Sequence, residues 1–152
     1  MRWLVAVVVL APGCGSGKSD ADKATGLVRE ILKGHGVPAT PSCPDTSYAT
    51  GKVVQCTATD SLGSKLVFDI AIEQDKFRGT FAGAIIDVAT VRTEARRLLD
   101  DGFAELEYPH PTLLVPRGTT LTLDVNTAAN VRKIRVSEKD PARHTIDIAL
   151  VP

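Results

Sequence analysis

From residue 19 onward, apolar positions follow two alternating rhythms. Ser19-x-x-Asp22 has the spacing of a helix-capping signal, and Ala24, Leu27, Val28, Ile31 and Leu32 recur at helical intervals. Together they predict an amphipathic helix closed by Gly34 and Gly36. "VPATPS" then reads as a Pro-rich connector. "GKVVQCTATD" alternates, placing Val54, Cys56 and Ala58 on one face; "SLGS" turns; "KLVFDIAIEQ" alternates through Leu66, Phe68, Ile70 and Ile72; and a short strand runs from about Phe77 to Phe81. This is one helix followed by an antiparallel meander.

The order repeats downstream. Asp87 is placed to cap a helix carrying Val88, Val91, Ala95, Leu98 and Leu99, with Gly102 closing it. A Pro-containing approach, "YPHPTLLVPRG", leads to an alternating strand through Leu121, Leu123 and Val125, and "VRKIRVSE" and "RHTIDIALV" supply two more. A shift of 67 residues aligns Arg29 with Arg96, Leu32 with Leu99, Pro44 with Pro111 and Gly51 with Gly118. Identities are few, and chance similarity of two small α+β units is the alternative to duplication. The expected fold is α+β: two similar small units, each with one helix on an antiparallel sheet of about three strands. They span residues 20–83 and 84–152.

The first 19 residues follow neither rhythm. In "LAPGCGSGKS", Gly17-Lys18-Ser19 matches the end of a phosphate-binding loop, but Pro12 stands where its first Gly belongs, and no βαβ succession follows. The other reading is export. Met1-Arg2, the apolar "WLVAVVVLA" and a small-residue site have the order of a signal peptide, and the apolar run is shorter than the roughly 20 residues of a membrane span. "APGC" resembles the lipobox of bacterial lipoproteins, although Ala11 stands where that box usually has Leu, with Leu10 one place earlier. The resemblance implies a signal peptide over 1–13, diacylation of Cys14 and a tether over 14–19. An uncleaved apolar N-terminus or a plain buried strand is the competing reading.

Composition fits an exported domain. The 152 residues carry 18 basic and 18 acidic side chains, and losing Arg2 with the leader tips the balance by one charge to the acidic side. No basic surplus points to nucleic acid. The three cysteines are accounted for by a lipidated Cys14 and a Cys43–Cys56 disulfide, which an oxidising compartment permits. Two reduced cysteines in a cytoplasmic chain are the alternative. His35, His110 and His144 are scattered, and no metal or cofactor site is expected.

"SCPDTSYATGKVVQCTATDSLGSKLVFDIAIEQ" resembles a family of small bacterial secreted and lipoprotein domains of unknown function. Cys43-Pro44, Gly51, Cys56 and the turn residue Gly63 carry the resemblance, which covers about residues 20–82. It implies an envelope location and a disulfide, and no reaction. The expected function is a non-catalytic, lipid-anchored binding module of the cell envelope, with another envelope protein as partner. An inhibitor of an envelope or secreted hydrolase or protease is the second expectation. For catalysis the densest polar cluster is Glu105, Glu107 and His110, with Glu105 and Glu107 on one strand face; no G-x-S-x-G turn presents a nucleophile. A docking face is expected on the sheet sides that the helices leave uncovered. Its residues are Gln55, Thr57 and Asp69 in the first unit, and Thr122, Asp124 and Arg135 in the second.

Overall fold

In the first helix, α1 (Asp20–Gly34), Ser19 Oγ accepts from the Asp22 N–H at 3.2 Å while the Asp22 carboxylate accepts from the Ser19 N–H at 3.3 Å. This reciprocal capping box satisfies two of the free donors at a helix start. At the other end Gly36 takes a positive φ of 65°, the Val37 N–H reaches the Leu32 carbonyl and the Gly36 N–H reaches that of Lys33. That pairing is a Schellman stop, with Val37 buried beside it.

The computed structural model describes residues 8–10, 19–74 and 76–152. The expected signal and tether lie mostly outside these, as does Cys14. The described chain is mixed α and β, mostly sheet, with two helices and antiparallel strands throughout. It divides into two compact units at Ala82/Gly83.

In the first unit, α1 is followed by β2 (Ala39–Ser42), β3 (Val53–Asp60), β4 (Lys65–Glu73) and β5 (Lys76–Phe81), paired in the order β5-β4-β3-β2. A short strand β1 (Val8–Leu10) lies along the free edge of β5. Ala24, Leu27, Val28, Ile31 and Leu32 are all buried, and so are the inward strand positions Val54, Cys56, Ala58, Leu66, Phe68, Ile70, Ile72 and Phe81. The helix comes close at Gly79: a Cβ there would stand 2.7 Å from Ile31 Cδ1 and 3.2 Å from Leu27 Cδ2. The β3–β4 turn closes on Asp60, whose carboxylate accepts from the Leu62 and Ser64 N–H groups at 2.9 and 2.8 Å. Gly63 supplies the left-handed φ of 80°.

The expected connector "VPATPS" is corrected: its last four residues are β2, in register with β3 from Ala39↔Asp60 to Ser42↔Thr57. Pro41 is tolerated because β2 is an edge strand. The sheet therefore has four strands after the helix rather than three.

The second unit contains β6 (Gly83–Asp87), α2 (Val88–Leu99), β7 (Thr112–Pro116), β8 (Thr120–Asn126), β9 (Val131–Asp140) and β10 (Thr145–Leu150). Its sheet is divided into a β6–β7 pair and a β10-β9-β8 meander. Ala84, Ile86, Val88, Val91, Ala95, Ala104, Leu106, Leu113, Val115, Val125, Ile134 and Val136 form its core. Three expectations change. Strand β6 was not foreseen, and the Pro-containing approach holds β7, every residue of which is buried. Helix α2 ends at Leu99 rather than running to Gly102, because Asp100 takes the left-handed conformation and the Asp101 N–H reaches the Arg96 carbonyl. Aspartate is among the few residues that visit this region readily. Asp87 occupies the N-cap without a side-chain capping bond.

Candidate functional site

Cys43 and Cys56 form a disulfide across neighbouring strands. The β2–β3 ladder pairs Ser42 with Thr57, and the next step of that register sets Cys43 opposite Cys56. Their Cα atoms are 4.3 Å apart, a separation typical of directly opposed, non-hydrogen-bonded residues. The bridge closes a segment in which Tyr48 donates to the Pro44 carbonyl at 2.9 Å and stacks on Phe77, ring centroids 5.6 Å apart. Burial raises the Tyr48 phenol above its ordinary pKa, helped by the carboxylates of Asp45 and Asp20.

The uncovered sheet faces carry polar rows, as alternation requires. In the first unit Gln55 Nε2 donates to Asp69 Oδ1 at 3.0 Å, and the two stand opposite each other in the β3–β4 register. Thr57 is half-buried between Ser42 and Val67 on the flanking strands. In the second unit Thr122 opposes Arg135, and Asp124 opposes Lys133, whose Nζ lies 2.8 Å from its carboxylate. Each row is a ladder of cross-strand pairs. Gln55, Thr57 and Asp69 share one sheet face, and Thr122, Asp124 and Arg135 share another. A depression of ≈ 590 Å³ at the end of β4 and β5 is lined by Thr50, Gly51, Ile72, Glu73, Gln74, Lys76 and Arg78.

The "ELEYPH" cluster is taken up by packing. Glu105 pairs through its backbone with Asn126, with bonds of 2.8 Å in both directions, and its carboxylate meets Arg96. Ala104 and Leu106 on either side are buried, and their carbonyls accept from Arg96 Nε and Arg92 Nε at 3.0 and 2.9 Å. His110 is buried and meets the Tyr108 ring edge-on. Glu107 is exposed like Glu105, and the stretch makes only the isolated Glu105–Asn126 bridge rather than a strand. On α2, Arg97 hydrogen-bonds Glu94 and holds its carboxyl below the ordinary carboxylate range.

One polar group was missed from sequence. The Glu138 side chain is 1% exposed, and neither carboxylate oxygen has a hydrogen-bond partner. The Arg117 guanidinium Nε approaches at 3.5 Å and His144 Nδ1 at 3.7 Å, neither with hydrogen-bond geometry. The signal was present: alternation through Ile134 and Val136 puts position 138 on the core side of β9, opposite Ile146.

Among the described residues, no group of three or more His, Cys, Asp and Glu side chains is arranged to hold a metal ion, and no helix is long and apolar enough to cross a membrane. Compared with family models, with curated proteins and with solved structures, the chain matches none.

Proposed function

We propose that this chain is a lipid-anchored protein of the bacterial cell envelope and a non-catalytic binding module whose partner is another envelope protein. The observation that carries the reading is the pairing of Cys43 with Cys56. It leaves Cys14 as the third cysteine, in the "APGC" setting that resembles a lipobox and behind a leader-like apolar run. Two acyl chains on that residue meet the two-signal requirement for stable anchoring.

The similarity of residues 20–82 to small secreted and lipoprotein domains belongs to the same proposal, as does descent of the two units from one duplicated α+β unit. The polar sheet faces around Gln55, Thr57 and Asp69, and around Thr122, Asp124 and Arg135, are its docking surfaces. Mass spectrometry of the membrane fraction tests the anchor. The expected result is a diacylated N-terminal peptide beginning at Cys14, and release of the Cys14→Ala variant from the membrane. An intact Met1 peptide, or unchanged localisation of the variant, would overturn it.

A further inference from the structure

The two edges of the first sheet are unlike. At one edge, β2 is four residues long, contains Pro41 and ends in the disulfide. Proline and short length both blunt an edge against further pairing. The opposite edge, β5, has six residues, no proline and no covalent tie. There β1 lies antiparallel, with Val8 opposite Gly79, Val9 opposite Arg78 and Leu10 opposite Phe77. These three residues belong to the segment that cleavage before Cys14 removes. A mature chain would therefore present one side of β5 with its N–H and C=O groups unpaired.

The surroundings of that edge define what it accepts. At Gly79, Leu27 and Ile31 press so close that even a Cβ would collide. At Phe77 the Tyr48 ring stacks alongside. A strand added here meets aliphatic and aromatic surface at the two positions in register with Phe77 and Gly79. The position between them faces Arg78, which is itself ion-paired with Glu73 at 3.2 Å. Lys76 and Arg78 are exposed cations on the outward side, so the edge pairs poorly with a second copy of itself.

We infer that the β5 edge is a strand-acceptor site, filled by the chain's own Val8–Leu10 before cleavage and afterwards by an extended segment of a partner protein. That segment carries aliphatic residues opposite Phe77 and Gly79, and a neutral or acidic residue opposite Arg78. Main-chain bonds supply the affinity and the alternate side chains the selectivity, as in other strand additions. The inference rests on the cleavage proposed above.

The probe is a synthetic peptide of residues 4–12 with a solubilising tag, added to a chain begun at residue 14. The readout is amide hydrogen exchange across β3, β4 and β5. Without peptide, β3 and β4 should be protected and β5 should exchange at least 10-fold faster. With peptide, β5 should slow by at least 10-fold, and a peptide N-methylated on the residues that bond β5 should lose the effect. The full chain, with its leader in place, should not respond. Equal protection by plain and methylated peptides, or none at millimolar peptide, would overturn the site. So would loss of β3–β4 protection in the shortened chain, because β1 would then be an integral strand. The N-terminal mass of the membrane-derived protein reports separately on cleavage.

Discussion

Under the shift of 67 residues, α1 falls on α2, β3 on β8 and β4 on β9. This correspondence of element bounds stops at the sheet edge. In the first unit β2 pairs with β3 along four residues and is locked there by the disulfide. In the second, Leu123 stands where Cys56 would, and pairing beside β8 shrinks to the single Glu105–Asn126 bridge. The strand that follows, β7, pairs instead with β6. The stretch alongside β8 is held by Arg92 and Arg96 reaching carbonyls from α2. A covalent staple goes with a continuous sheet, whereas side-chain clamps go with a divided one. An edge strand with little apolar surface needs some tie to stay in register, and the units use different ones.

The largest effect expected from testing this comparison is in the first unit. Replacing both Cys43 and Cys56 by Ala should lower stability by about 3 kcal/mol, the chain-entropy value for a loop of this size. The loss should appear in chemical denaturation, with faster amide exchange in β2 and β3. If stability is unchanged, the staple is dispensable and the contrast fails.

The next test concerns the second unit's buried carboxylate. Arg117→Ala leaves Glu138 facing only His144 and should destabilise by about 2–3 kcal/mol, since a buried charge stripped of its partner is costly. Glu138→Leu should be neutral or stabilising by about 1–2 kcal/mol, because apolar replacement of a poorly satisfied buried ion removes its desolvation penalty. Midpoints of denaturant unfolding distinguish the two. Destabilisation by both variants would mean that Glu138 organises the β9–β10 hairpin beyond its charge.

The smallest effect compares the helix starts. Ser19→Ala removes a reciprocal capping box and should cost about 1 kcal/mol. Asp87→Ala removes a side chain that makes no capping bond and should cost only a few tenths of a kcal/mol. Equal losses at both positions, read in the same unfolding assay, would erase this difference.

Both helices and six strands (β3, β4, β5, β8, β9 and β10) were legible because their apolar residues follow a 3.6- or two-residue period. The missed strands have specific reasons. The prolines around Ala39 and Thr40 mask β2, and only its pairing with β3 reveals it. β7 is buried on both faces, so Leu113, Leu114 and Val115 show no alternation. β6 is short and runs directly into α2. The paired cysteines and the polar rows could be read from residue type and parity. Glu138 was masked because "VSEKD" resembles a solvated strand end, although the alternation through Ile134 and Val136 places it on the core side.

The position of the disulfide within the β2–β3 ladder also bears on how the fold guards against error. Strands misaligned by one residue turn every side chain to the wrong face, and a slip of two keeps the faces but brings the wrong neighbours together. In the native register Cys43 meets Cys56; slipped by two, it would meet Val54 or Ala58, neither of which can oxidise. Bond formation therefore works as a proofreading step: a misaligned sheet keeps both thiols, open to further exchange, until the strands find their alignment.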